Sequence, residues 1–118
     1  MKRMRKTYGC PVELSLDLLG GKWKPVILAR LKDRPLSYGE LRGLIPDLSD
    51  KVLTERLKGL EARGLVTRLR HSARPARIRY ALTERGQSLR PVLQALYDWG
   101  AQAATDLNLQ IRATTPHE

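Results

Sequence analysis

Residues 37–64 read SYGELRGLIPDLSDKVLTERLKGLEARG and contain two helix patterns separated by a tight turn. An S-x-x-E capping box begins at Ser37 and predicts a helix that ends before Pro46. Ser49 is the predicted N-cap of the next helix, and Gly64 is its predicted stop. Two short helices joined in this way predict a helix-turn-helix.

The second of these helices has an apolar face and a polar face. At about 100° per residue, three leucines fall together and predict the side that faces the core: Leu53, Leu57 and Leu60. The opposite face presents hydrogen-bonding side chains: Lys51, Thr54, Glu55 and Lys58. Such a set can read base edges when the helix enters a major groove, although an ordinary solvated helix has the same pattern. Ser37 and Ser49 are further DNA-binding candidates, because a helix N-terminus can face a phosphate.

The hydrophobic pattern changes after Gly64 from a helical period to two short extended segments, residues 65–70 and 78–82. We interpret them as a β-hairpin, that is, a two-stranded wing with a polar loop at 71–77. Arg74 and Arg77 flank a proline in this loop, and they are predicted to lie along phosphates or to enter a minor groove. The alternative is a solvated loop without a partner.

Three further helices are predicted, at residues 11–19, 23–31 and 91–107. The order of the elements is helix, helix, helix, turn, helix, hairpin and long helix. The fold class is therefore α+β and mostly α, namely a winged helix-turn-helix with a long C-terminal dimerisation helix. We expect residues 1–118 to form a single domain, with a frayed tail at 110–118.

The charge of the chain favours a polyanionic partner. There are 22 lysines and arginines against 12 acids, which gives a net charge of +10 and a pI near 10.4. Part of the excess lies between Glu61 and Glu84, where six arginines occur without an acid. Double-stranded DNA is the first candidate partner, and an anionic membrane surface is the second.

Several other classes of protein are disfavoured. One cysteine and two histidines are too few for an intrachain disulfide or a structural zinc site, so we expect no metal and no cofactor. Gly20-Gly21-Lys22 fails the phosphate-loop pattern, and no catalytic set is recognisable, so we expect no enzyme. No apolar run is long enough to span a membrane. No apolar segment follows the basic first residues, as it would in a secretory signal peptide, so we expect the chain in the cytoplasm.

The last predicted helix has more apolar surface than a small winged core can cover. We therefore predict a homodimer, with the first helix contributing to its interface. The predicted dimerisation residues are Leu14, Leu18, Leu93, Leu96, Tyr97 and Trp99. The alternative is that Trp99 covers the core of its own chain.

Cys10 precedes Pro11 at a predicted helix start. It follows a basic arm, residues 1–7, whose cations are Lys2, Arg3, Arg5 and Lys6. Helix N-termini and nearby cations favour thiolate, so Cys10 is a candidate regulatory thiol. The alternative is that Cys10 is a buried small residue with no such role, as a lone cysteine more often is.

Three stretches resemble the HxlR family of bacterial transcriptional regulators, which are relatives of the MarR family. They are CPVELSLDLLGGKWKPVIL, LSYGELRGLIPDLSDKVLTERLKGLEARGLV and PARIRYALTERGQSLRPVLQALYDWG, and the resemblance covers roughly residues 8–103. It implies a winged-helix homodimer that binds a palindromic operator as a repressor or an activator.

The resemblance also implies a role for the cysteine before the proline. In several members of the family this cysteine senses electrophiles, quinones or oxidants, and the matching residue here is Cys10. Because the chain has no second cysteine, a switch would use a bridge between two chains, a mixed disulfide or a sulfenic acid. The alternatives are a regulator with no thiol switch, and a winged-helix module that binds RNA or protein.

Overall fold

The computed structural model describes residues 4–71 and 77–112. In this part of the chain there are six helices and three strands. The helices are α1 (Pro11–Leu19), α2 (Lys24–Leu31), α3 (Tyr38–Leu44), α4 (Asp50–Ala62), α5 (Glu84–Gln87) and α6 (Arg90–Asp106). The strands are β1 (Leu36–Ser37), β2 (Val66–His71) and β3 (Arg77–Leu82). The predicted winged helix-turn-helix is confirmed, with α3 and α4 as its two helices and β2–β3 as its wing.

The predicted caps set the helix boundaries. The Ser37 hydroxyl accepts a hydrogen bond from the Glu40 N–H at 3.1 Å, and the Glu40 carboxylate accepts one from the Ser37 N–H at 2.9 Å. These two bonds complete the capping box of α3. The Ser49 hydroxyl accepts from the Val52 N–H at 3.2 Å and begins α4. Gly64, at φ +73°, follows the end of α4 in the left-handed conformation that glycine favours.

The sheet has three antiparallel strands in the order β1-β3-β2, one more than the two-stranded prediction. Leu36 and Ser37 pair with Tyr80 and Arg79, so β1 joins the start of α3 to the base of the wing. Local periodicity cannot reveal a two-residue strand, because its hydrogen bonds reach a segment far along the chain.

The wing loop is shorter than the predicted 71–77. His71 and Arg77 face each other in the β2–β3 ladder, so both residues belong to strands. Residues 72–76 lie outside the described residues.

Leucine and isoleucine side chains from α2, α3, α4 and the sheet form the core. Leu53, Leu57 and Leu60 are buried there, which confirms the predicted inner face of α4. From α6 only Leu93 is buried, and α1 contributes no buried residue. Both of these helices therefore leave apolar surface uncovered within one chain. No helix of the described residues is both long and apolar enough to cross a membrane.

Candidate nucleic-acid interface

The outward face of α4 presents all four side chains that were predicted to read bases. Lys51, Thr54, Glu55 and Lys58 are exposed, and the three buried leucines lie on the other side of the helix. Because the leucines fix the rotation of α4 about its axis, these four side chains must project away from the protein body. Each has a donor, an acceptor or both with which it can meet a base edge.

Helix α3 holds the N-terminus of α4 through Asp50. The Tyr38 hydroxyl lies 2.8 Å from the Asp50 carboxylate, 3.2 Å from the Asp50 carbonyl oxygen and 3.4 Å from the Thr54 hydroxyl. Arg42 Nε lies 3.0 Å from the same carboxylate. We call this set of contacts the Asp50 clasp. Sequence reasoning missed Tyr38 and Arg42, although their i, i+4 spacing on α3 puts both on one face of that helix.

The clasp fixes two features of the candidate interface. It holds the Thr54 side chain in place, because its hydroxyl meets the Tyr38 hydroxyl. It also pairs the Asp50 carboxylate with the guanidinium of Arg42. Without this pairing, the carboxylate at the N-terminal end of α4 would repel an approaching phosphate.

Ser37 and Ser49 are both occupied as N-caps, since each hydroxyl accepts a backbone hydrogen bond. Their position is explained by the helices that they begin. The phosphate contact expected of them remains a prediction.

The wing has cations on both of its faces. In the β2–β3 register, Arg68 and Arg70 share one face and Arg77 and Arg79 share the other. Arg68 pairs with Glu61 at 3.0 Å, and this hydrogen bond raises the pKa of its guanidinium. The charge of Arg68 is therefore partly compensated, whereas Arg77 is exposed and has no acidic partner among residues 4–71 and 77–112. Arg74 lies outside the described residues, so its role remains a prediction.

Cys10 is exposed at the N-cap of α1 and is not a buried packing residue. The Glu13 carboxylate accepts hydrogen bonds from the N–H groups of Gly9 and Cys10, at 2.5 and 3.3 Å, and lies 3.9 Å from Arg5. Glu13 therefore lies beside Cys10 and close to Arg5, whereas the sequence-based prediction considered only cations near this thiol. The part of the chain described here contains no group of three or more side chains that could hold a metal ion.

The predicted dimerisation residues differ in exposure. Leu93 is 3 % exposed and packs in the core of its own chain, so this residue has to be removed from the predicted interface. Trp99 is 75 % exposed, which excludes the alternative that it covers its own core. Leu96 is also exposed, on the same side of α6 as Trp99. Tyr97 is 68 % exposed and lies on the side of α6 that faces α2, with its ring centroid 5.9 Å from the Lys32 ammonium, so its place in the interface stays a prediction. On α1, Leu14 is exposed and Leu18 is half-buried.

A family model described as HxlR-like helix-turn-helix matches residues 18–107 of this chain. The chain belongs to the HxlR family. An HTH-type transcriptional regulator of Methanothermobacter thermautotrophicus is 42 % identical to this HxlR chain over 93 residues, which are 79 % of this chain and 71 % of the relative. The regulator YkvN of Bacillus subtilis is 39 % identical over 99 residues, with 84 % of each chain covered.

Solved structures support the same classification of this HxlR protein. The oxidised form of the redox regulator HypR has a TM-score of 0.75 and 36 % identity, covering 79 % of this chain and 96 % of that one. The reduced form of the transcriptional regulator YodB from Bacillus subtilis has a TM-score of 0.70 and 38 % identity. The match covers 80 % of this chain and 94 % of the YodB chain. The protein is thus a transcriptional regulator of the HxlR and MarR-like type, a family of DNA-binding proteins and not of enzymes.

Proposed function

We propose that the protein regulates transcription as a homodimer that binds a palindromic operator in double-stranded DNA, with α4 in the major groove. The observation that supports this best is the polar face of α4: its four base-reading candidates are exposed together, and the Asp50 clasp holds the N-terminus of the helix. A regulator of this kind acts in the compartment that holds the DNA, the cytoplasm.

The wing supplies contacts to the DNA backbone in this proposal. Arg77, at the first position of β3, is an exposed cation on a hairpin that adjoins α4. Arginine donors fit phosphate oxygens in a planar, bidentate geometry. Arg74 belongs to the same proposed contact. These residues add affinity that does not depend on the base sequence.

The apolar surface that a single chain leaves uncovered supports the proposed dimer. The proposed interface is formed by α6, with Leu96 and Trp99 at its centre, and α1 adds Leu14 and Leu18. For a palindrome, the two α4 helices should lie about 34–36 Å apart, so that they meet successive major grooves on one side of the duplex. A closed two-fold dimer buries the same patch on both chains.

The test is selection of DNA duplexes from a random pool, followed by titration of the selected duplex by fluorescence anisotropy. We expect an inverted repeat, and an affinity that falls steeply with salt. A matched RNA duplex and a duplex with one scrambled half-site are the controls. Selection without an inverted repeat, or equal affinity for RNA, would support the alternative winged-helix module that binds RNA or protein.

We propose further that oxidation or alkylation of Cys10 alters operator affinity. The exposed thiol at the start of α1 supports this, because α1 adjoins the proposed interface and an adduct there can change the spacing of the two α4 helices. HypR and YodB supply a parallel, since their structures include an oxidised form and diamide-treated and quinone-bound forms.

Gel-shift titrations with diamide, a quinone and peroxide test the thiol switch, using the wild type and Cys10→Ser. A change in affinity in the wild type alone supports the thiol switch. A change of about 1.4 kcal/mol in the binding free energy corresponds to a tenfold change in Kd. Identical curves for both proteins under all three reagents would leave a regulator with no thiol switch.

A further inference from the structure

Three cations gather on a flank of α4 that the proposed base contacts do not use. Arg56 and Arg63 lie on this flank, one turn to either side of Gly59. Lys24 reaches across from α2, and a Cβ atom placed on Gly59 would lie only 3.5 Å from its ammonium nitrogen. The missing side chain of Gly59 thus leaves room for the Lys24 ammonium on this surface, between the two arginines.

The guanidinium of Arg56, on the same flank of α4, packs against the backbone at Gly21. Gly21, at φ +92°, passes close to it, because a Cβ on Gly21 would lie 3.6 Å from Arg56 Nε. This nitrogen is buried and has no hydrogen-bond partner among the described residues. A buried donor without an acceptor is unfavourable. Because this nitrogen has almost no accessible surface, a ligand from outside the chain would meet only the terminal nitrogens of the Arg56 guanidinium.

Within the described residues, Lys24 and Arg56 are not compensated by an acid as several other surface cations are. Arg34, Arg42 and Arg68 each pair with a carboxylate. Neither Lys24 nor Arg56 forms an ion pair within residues 4–71 and 77–112. Burial lowers the pKa of Lys24, and the nearby Arg63 and Arg56 lower it further. Lys24 is also the first residue of α2, where the positive end of the helix dipole disfavours another cation.

We propose that Lys24, Arg56 and Arg63 form a binding site for a phosphate group. Two guanidinium groups and an ammonium offer several donors to the oxygens of a tetrahedral anion, and its negative charge removes the repulsion among the three cations. At about 100° per residue, the site lies about 120° around the axis of α4 from the polar face that carries the proposed base contacts. The phosphate group can come from the DNA backbone beside the groove or from a free phosphate compound. The first of these two sources rests on the proposed function.

Thermal unfolding of the full chain tests the site without DNA. The wild type, Lys24→Gln and Arg56→Gln are compared in sodium phosphate and in sodium chloride of equal ionic strength, with Arg30→Gln as the control that removes one charge elsewhere on α2. We expect phosphate to raise the Tm of the wild type and of Arg30→Gln, and to have a much smaller effect on the other two variants. In chloride, Lys24→Gln should be at least as stable as the wild type, because a repulsive charge is lost.

Anisotropy titrations with the selected duplex identify the source of the phosphate. If the DNA backbone supplies it, Lys24→Gln and Arg56→Gln lower the affinity severalfold and reduce the salt slope by about one, and Arg30→Gln does not. If DNA affinity is unchanged while the phosphate effect on Tm is lost, the ligand is a free phosphate compound. The proposal is overturned if Lys24→Gln, Arg56→Gln and Arg30→Gln behave alike in both experiments. Failure of the wild type to bind DNA would refute the proposed function and leave the thermal test intact.

Discussion

Asp50 occupies the first turn of α4, where its carboxylate meets the positive end of the helix and two side chains from α3. An uncompensated carboxylate at this end would repel DNA phosphates. The hydroxyl of Tyr38 and the guanidinium of Arg42 hold it in a fixed geometry instead. Capping and periodicity predicted Asp50 as a helix-start residue, but not the residues that contact it, because those contacts cross the turn between α3 and α4.

Tyr38→Phe tests the Asp50 clasp. The variant keeps the ring and loses the hydroxyl that contacts Asp50 and Thr54. We expect the free energy of unfolding to fall by about 1 kcal/mol, as for one hydrogen bond, and DNA affinity to fall as well. Urea unfolding and anisotropy titration measure the two effects. Tyr97→Phe is the matched control, and equal results for the two variants would contradict a role for Tyr38 in positioning α4.

Substitutions in α4 and in the wing should affect DNA binding differently. Lys51→Ala or Thr54→Ala should cost about 1–3 kcal/mol on the selected duplex and relax the base preference at one position. Arg77→Ala should weaken all duplexes alike and lower the salt slope, because a phosphate contact does not depend on sequence. Titration of a set of single-base variants of the duplex separates the two patterns. A uniform loss for the α4 variants would argue against base reading by this face.

At the scale of elements, α3 depends on its capping box and on the strand that precedes it. The hydrogen bond from the Ser37 N–H, together with Arg34, lowers the pKa of Glu40 below its ordinary value of 4.5. The sequence predicted this box from the spacing of two residues. It did not predict β1, since the pairing of Leu36 with Tyr80 depends on a fold that is already assembled.

Glu40→Gln should therefore change how stability depends on pH. Because the folded pKa of Glu40 is depressed, the carboxylate stabilises the fold above pH 4.5, and this contribution is lost as the pH falls through the folded pKa. We expect the wild type to be more stable than the variant at pH 7 and the difference to shrink in acid. Urea unfolding at a series of pH values measures it. Glu84→Gln, at the start of α5, is the control; a difference that stays constant or grows in acid would contradict the prediction.

At the scale of the whole molecule, α1 and α6 each leave several apolar side chains exposed, among them Leu16 and Trp99. The sequence predicted the surplus of apolar side chains on α6 but placed Leu93 among the interface residues. Nothing in the 91–107 pattern separates the residue that the core buries from those that it leaves exposed. The position of α2 beside α6 decides which residue is buried, and the periodicity of one helix carries no information about that position.

Trp99→Lys should convert the proposed dimer to a monomer that still folds. Trp99 contributes nothing to the core of its own chain, so the thermal transition of the monomer should be retained while association is lost. Sedimentation velocity over a range of protein concentrations measures the change. Ala101→Lys, on a different side of α6, is the control and should remain dimeric. A Trp99→Lys protein that sediments like the wild type would place the interface elsewhere.

The exposure of Trp99 also gives the protein an optical signal of its own. The chain has two tryptophans, and the other, Trp23, is half-buried against the core with the Lys22 ammonium 4.7 Å from its ring centroid. The indole of Trp99 should emit at the red end of the range in a single chain, and its emission should move to shorter wavelengths when a second chain covers it. Trp23 should emit alike in both states. Unlabelled protein could then report its own association by intrinsic fluorescence as it is diluted.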